Sequence, residues 1–304
     1  MKKNISLIDN IVKLKTEKDA IILAHNYQID EIQDIADFVG DSLQLSIESA
    51  KVKNRIIVFC GVHFMAETAK IISPERKVLL PDRYSGCPMA DMITDKQLAN
   101  FKKEHPGAVV VCYVNTSARV KALSDICCTS SNAVKVVNSI PEDKQIIFIP
   151  DKYLGSYVQS QTDRKMILWN GFCPTHANID VKTIIALKKE HLSAIVLIHP
   201  ECAPDVIEIA DKVASTGGML AFVKQSDKKE FIIGTEIGLI YRLKKENPGK
   251  VFYPASSHAI CPNMKLTNLE KLLWALEEEQ FEIKLPYDVI NKARTAIDNM
   301  LALS

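Results

Sequence analysis

Ala20-Ile21-Ile22-Leu23-Ala24-His25 is a short apolar run closed by a ring, and the chain repeats it twice. Ala108-Val109-Val110-Val111-Cys112-Tyr113 begins 88 residues later, and Ala194-Ile195-Val196-Leu197-Ile198-His199 another 86 residues on. Seventeen residues beyond each terminal ring stands a hydroxyl: Ser42, Ser130 and Thr216. A third set keeps the register. Lys77-Val78-Leu79-Leu80, Lys165-Met166-Ile167-Leu168 and Lys250-Val251-Phe252-Tyr253 each lead to a Cys-Pro pair, at Cys87-Pro88, Cys173-Pro174 and Cys261-Pro262. Three coincident sets predict an internal triplication.

Within each unit, continuous apolar runs alternate with helical patterns, which predicts parallel strands covered by helices on both faces. Unit one shows the plan: a strand over 20–25, a helix carrying Ile32, Ile35, Ala36 and Val39, and a second helix after Gly40-Asp41-Ser42. A strand from Arg55 to Phe59, a helix from Val62 and a strand before Cys87 complete it. Thr94-Asp95-Lys96-Gln97 and Thr267-Asn268-Leu269-Glu270 fit capping boxes. The expected fold class is α/β: three αβα three-layer domains, each with a short parallel sheet, related by a pseudo-threefold axis around a central cluster. Their expected bounds are 1–86 (with the C-terminal segment 267–304), 87–172 and 173–266. Helices at 5–16 and 287–302 are expected to pack on the first unit.

Ligands of open parallel sheets collect beyond the carboxyl ends of the strands. His25, Tyr113 and His199 stand there, with Tyr27, Asn115 and Glu201 two residues later. Threefold symmetry would bring Cys87, Cys173 and Cys261 to the axis, where three soft thiolates suit zinc or an iron-sulfur cluster. The zinc reading has local support in Cys173, His176, His258 and Cys261, but it leaves Cys87 idle, with only Asp91 close by in sequence. Three equivalent cysteines around one 4Fe-4S cubane are favoured. They leave one iron open as a Lewis acid, which predicts elimination or condensation chemistry. Ser42, Ser130 and Thr216 precede predicted helices, so they are either ordinary N-caps or part of three anion-binding helix starts. Glu201 beside His199 makes acid-base work credible. Cys60, Cys112, Cys202 and the adjacent Cys127-Cys128 read as packing residues, and His63 as the start of a helix.

The chain has 304 residues, with 38 basic against 37 acidic side chains, and 47% are hydrophobic. That balance gives no electrostatic footprint for nucleic acid or an anionic membrane, and predicts a soluble globular protein. The N-terminal stretch is broken by Asp9, Lys13 and Lys15, unlike a signal peptide, and runs such as Ile195–Ile198 fall far short of the ~20 residues of a membrane span. A cytoplasmic setting is expected, where eight cysteines serve metal binding or catalysis better than disulfides.

Seven stretches carry most of the polar motifs: Ala24-His25-Asn26-Tyr27-Gln28, Gly40-Asp41-Ser42-Leu43, Gly61-Val62-His63-Phe64-Met65-Ala66-Glu67, Tyr113-Val114-Asn115-Thr116-Ser117, Asp125–Ala133, His199-Pro200-Glu201-Cys202 and Ser215-Thr216-Gly217-Gly218. Together they resemble the quinolinate synthase family. The resemblance implies a three-domain αβα architecture and one 4Fe-4S cluster on Cys87, Cys173 and Cys261. It implies condensation of iminosuccinate with dihydroxyacetone phosphate to quinolinate, an NAD precursor. His25, Ser42, Tyr113, Val114, Asn115, Ser130, His199, Pro200, Glu201 and Thr216 would then surround the substrate, with Tyr27 closing over it. Glu201, His199, Tyr27 and Tyr113 would handle protons. Transient contact with an iminosuccinate-producing enzyme is the one protein partner implied. Two departures stand out: Asn26 where the family often has Tyr, and a single cysteine in Cys261-Pro262-Asn263-Met264 where some members have a closely spaced cysteine motif. A thiol-disulfide switch there is not expected. A non-catalytic three-lobed metal or anion-binding protein, a zinc hydrolase and another cluster-dependent hydro-lyase are the competing readings.

Overall fold

The computed structural model describes residues 2–304, with side chains from Ser6 onward. The reading of Met1 and of the side chains before Ser6 lies outside them. The strands fall into three sets of four. The first comprises β1 (Ala20–His25), β2 (Phe38–Gly40), β3 (Ile56–Cys60) and β4 (Lys77–Leu79). The second comprises β5 (Val109–Tyr113), β6 (Ile126–Cys128), β7 (Ile146–Ile149) and β8 (Met166–Leu168). The third comprises β9 (Ile195–Ile198), β10 (Lys212–Val213), β11 (Glu230–Gly234) and β12 (Val251–Pro254). Their orders are β2-β1-β3-β4, β6-β5-β7-β8 and β10-β9-β11-β12, one topology used three times. Pairing within all three sheets is parallel.

The architecture is α/β with three parallel four-stranded sheets, as the repeat predicted, but each sheet has one strand more than the sequence suggested. β2, β6 and β10 are two or three residues long and sit at a sheet edge. Lys212–Val213 has no apolar run to announce it. These strands are defined by the neighbour they pair with rather than by their own pattern. Central strands behave as the pattern requires: all five residues of β3, Ile56-Ile57-Val58-Phe59-Cys60, are buried. Burying each of its large side chains stabilises the fold by about 1.5–3 kcal/mol before entropy is counted.

In each sheet the first strand lies between the second and the third, so the winding direction reverses beside it. That reversal opens a crevice at its carboxyl end. His25 and Tyr113 end their strands, and His199 follows β9 directly.

The two capping predictions fared differently. Thr94 and Gln97 form the expected box at the start of helix Asp95–Glu104. At helix Leu269–Glu278 the cap is Asn268, one residue later than predicted, accepting from Lys271 N at 2.9 Å. The terminal helices also differ. Helix Lys2–Glu17 packs on β1 and helix Leu269–Glu278 of the first unit, as expected. Helix Tyr287–Leu301 does not belong to the first unit alone. It lies against His63–Ile72 of that unit and against β6 and helix Ala118–Lys121 of the second. Arg294 donates to Ile72 O (2.6 Å) on one side and Asn299 to Asp125 O (2.9 Å) on the other. Its stripe of Val289, Ile290, Ala293, Ala296, Ile297 and Met300 was legible, but an apolar stripe does not name the surface it meets. Among the described residues, no helix is long and apolar enough to cross a membrane.

Candidate active site

The three units meet at their helix starts. Asp41 caps helix Ser42–Lys51 by accepting from Gln44 N, and Ser215 caps helix Thr216–Gln225 by accepting from Gly218 N. Ser131 Oγ, from the second unit, donates to Asp41 Oδ2 at 2.8 Å and stands 2.8 Å from Ser215 Oγ. One residue from each unit thus closes a small polar triad. The approach is so close that a Cβ on Gly217 would come within 2.5 Å of Asp41 Oδ2. Because Asp41 and Ser215 do the capping, the next residues, Ser42 and Thr216, keep their hydroxyls for other uses. Ser130 lies ahead of its helix, whose N-cap position is Asn132. The simple N-cap reading of these three hydroxyls therefore fails.

Beside this triad lies a cavity of about 610 Å³ including its mouth. It is lined by His25, Tyr27, Ser42, Tyr113, Asn115, Ser130, His199, Glu201 and Thr216, and by Cys87, Cys173 and Cys261. Of the residues that the family resemblance placed around the substrate and cluster, only Val114 and Pro200 are not among its lining. Val114 lines a smaller neighbouring cavity with Ser42 and Phe64. Pro200 is buried between His199 and Glu201.

Each cysteine precedes a single helical turn: Ala90–Met92, Pro174–Ala177 and Met264–Leu266. Burial pushes each thiol up, Cys87 to about 12, and backbone N–H groups of the following turn pull the other way. Those donors are at Ala90 and Met89, at His176, and at Met264 and Asn263. The same amide cradle, built three times, favours a thiolate over a thiol once a cation neutralises it. All eight cysteines are free, and the five outside the cavity are buried. The Cys2His2 alternative is not assembled: His258 is exposed and is not among the cavity's lining residues. Asp91 is exposed as well.

His176, which the sequence connected only with zinc, is central. Its Nδ1 lies 2.8 Å from Glu201 Oε2 and 3.2 Å from Cys173 Sγ. Its Nε2 lies 2.8 Å from Thr235 Oγ1, which is 2.6 Å from the Tyr27 hydroxyl. On the other side, Tyr113 OH donates to Glu201 Oε1. The result is a continuous chain Tyr27–Thr235–His176–Glu201–Tyr113, buried throughout. Cys173, His176 and Glu201 also place one ligand atom each within 4.8 Å of one another, close enough to share an ion. Thr235 had no sequence signal beyond its place after β11.

Electrostatics sort these groups. Burial alone would raise the Glu201 carboxyl, but the neighbouring His176 and His199 rings and hydrogen bonds from His176 and Tyr113 outweigh it and hold it at about 2. Burial pulls His25 and His199 down to about 3, against the opposing pull of Glu201. Burial and Glu201 push both Tyr27 and Tyr113 well above the usual phenol range. One carboxylate, two neutral imidazoles and two protonated phenols divide the site into hydrogen-bond acceptors and donors at neutral pH.

The Tyr27 loop is tied to the third unit. Lys265 Nζ donates to Tyr27 O (2.5 Å) and pairs with Glu236 (2.9 Å), whose Oε1 also accepts from Cys261 N at 3.1 Å. Gln33 Nε2 contacts Asn26 O, Gln28 O and Gly238 O. Asn26 donates to Thr216 Oγ1 at 2.9 Å.

The family described as quinolinate synthetase A protein matches residues 9–302. The chain belongs to this family. It is 56% identical to the quinolinate synthase of Dehalococcoides mccartyi strain CBDB1 over 291 residues, which cover 96% of each chain. Identity to the quinolinate synthase of Thermodesulfovibrio yellowstonii is 55% over 297 residues, 97% of this chain and 98% of the relative. Identity to that of Methanosarcina barkeri is 52% over 297 residues, 98% and 97% respectively.

Proposed function

We propose that this chain condenses iminosuccinate with dihydroxyacetone phosphate to quinolinate, releasing one phosphate and two waters, with one 4Fe-4S cluster held by Cys87, Cys173 and Cys261. The observation that carries the reading is that these cysteines, one from each unit, line the same cavity as Glu201 and Tyr113. The donor set fits: three soft sulfurs, each cradled by backbone amides, suit iron-sulfur ligation. When bound, such a group supplies an iron without a cysteine ligand, available as a Lewis acid.

The chain's own residues do the rest. Ser42, Ser130 and Thr216 offer hydroxyls beside helix starts, where a dicarboxylate is stabilised by free amides and the helix dipole. Asn115 lines the cavity and its Oδ1 is buried with no partner, so it has an acceptor to offer a substrate N–H or O–H. Ionised Glu201 takes protons during imine formation and dehydration, and His176 holds it in place. Tyr113, which keeps its proton, returns one to a leaving oxygen. Tyr27 reaches the same carboxylate through Thr235 and His176. His25 and His199, neutral, serve as hydrogen-bonding groups rather than cations.

Domain borders at 86/87, 172/173 and 266/267, a cytoplasmic setting and transient contact with an enzyme that delivers iminosuccinate complete the proposal. The decisive assay supplies anaerobically purified protein with iminosuccinate and dihydroxyacetone phosphate and measures quinolinate. Product formation supports the reading, and its absence from iron-replete protein refutes it. A second reading, a single-ion site on Cys173, His176 and Glu201, is favoured by their mutual proximity. It predicts one zinc per chain and a colourless protein.

A further inference from the structure

Lys121 is fully buried, and it lies on the far side of the cavity wall. It ends the short helix Ala118–Lys121, which follows the Tyr113-Val114-Asn115-Thr116 turn. Its ammonium donates to Thr116 O and sits 5.5 Å over the ring of Phe64, a residue that lines the cavity. Among the described residues no carboxylate pairs with it. Glu67, the acid on the neighbouring helix, is engaged by Ala118 N at 2.8 Å and by His63 at 3.8 Å. A buried ammonium is costly without compensation. Retaining one here implies a task.

The task is visible in the turn. Thr116 Oγ1 contacts Tyr113 O at 3.2 Å and Cys112 Sγ at 3.0 Å, so the turn is tied across its own mouth. Cys112 Sγ in turn donates to Tyr113 O at 3.4 Å. Its burial raises the thiol, but the Cys127 thiol, the Lys121 ammonium and the hydroxyls of Thr116 and Ser124 outweigh burial and bring it to about 7. Cys128 completes the titratable groups on the adjacent strand. The two side chains this turn brings to the cavity lining are Tyr113, bonded to Glu201, and Asn115, whose amide oxygen is buried without a partner. A group kept unpartnered keeps its aim only if its backbone is fixed from behind.

We propose that Lys121 is a positioning residue of this site: its buried ammonium fixes the Thr116 carbonyl and thereby aims Tyr113 and Asn115 into the cavity. The proposal rests on the reading of the cavity as the quinolinate-forming site. Lys121→Met keeps the length of the stem and removes the charge. The expected result is unchanged iron content and visible spectrum, a melting temperature within a few degrees of wild type, and kcat/KM lower by about tenfold or more. Affinity for quinolinate falls about fivefold or more, and hydrogen exchange rises in a peptide covering residues 113–118. Lys102→Met removes another lysine-to-carbonyl bond in the same unit, to Leu123 O, and stays within twofold. Wild-type kcat/KM and quinolinate affinity in Lys121→Met overturn the proposal. Should that variant fail to fold, Thr116→Val, which cuts the hydroxyl ties of the same turn, is read by the same measurements and overturns it by the same result. A wild type that makes no quinolinate refutes the proposed reaction instead, and the exchange measurement then decides whether Lys121 orders the turn.

Discussion

His176 Nδ1 lies 2.8 Å from Glu201 Oε2, and both side chains are almost wholly buried. Glu201 comes from the segment after β9 and His176 from the turn after Cys173, so this contact joins a buried carboxylate to a cysteine loop. The pairing makes Glu201 the ionised member of the site and turns its other oxygen toward Tyr113.

Glu201→Gln keeps the shape and removes the proton carrier. Turnover is expected to fall about 100-fold or more, the range of a general acid-base group, while iron content and colour stay at wild-type levels. Steady-state kinetics beside iron analysis checks this, and a wild-type rate removes Glu201 from the mechanism.

His176→Gln tests the relay from the other end. Losing the imidazole leaves Glu201 Oε2 without its imidazole partner and Thr235 without Nε2, so kcat falls at least about tenfold. A kcat within twofold of wild type would make His176 a packing residue.

The threefold plan was legible because it rests on spacing, which survives sequence divergence. Apolar runs placed β1, β5 and β9, and the Cys-Pro pairs placed the three sulfurs on one cavity. Edge strands such as Lys212–Val213 were not legible, since pairing rather than composition creates them. The caps were displaced by one residue, because Asp41 and Ser215, not Ser42 and Thr216, accept from the N3 amides. His176 and Thr235 were missed as relay members for a similar reason. Their roles depend on contacts far apart in sequence, His176 with Glu201 inside the third unit and Thr235 with Tyr27 of the first, which no local pattern encodes.

Asp41→Ala removes a helix cap and the acceptor for Ser131 at the point where the units meet. The cost is about 1–2 kcal/mol, visible as a melting temperature lower by a few degrees. Gly217→Ala presses a methyl against the same carboxylate and lowers it too. Unchanged melting of both variants would show that the triad contributes nothing to cohesion.

Stability also depends on pH through the buried imidazoles. His25 and His199 titrate at about 3 when folded, because of burial, against 6.5 for an unperturbed imidazole. The unfolded chain therefore binds more protons between these values, and stability falls as pH drops below 6.5. At pH 5 each histidine accounts for on the order of 2 kcal/mol. Urea midpoints measured at pH 7 and pH 5 should differ, and the difference should shrink in the His25→Gln/His199→Gln variant. Equal midpoints in wild type would contradict the neutral assignment.

The most direct test counts iron and labile sulfide in anaerobically purified protein and its cysteine variants. The account predicts brown protein with about four irons per chain, bleached in each of Cys87→Ala, Cys173→Ala and Cys261→Ala and unchanged in Cys60→Ala. Full iron retention in any one of the three, or stoichiometric zinc in colourless wild type, would contradict it.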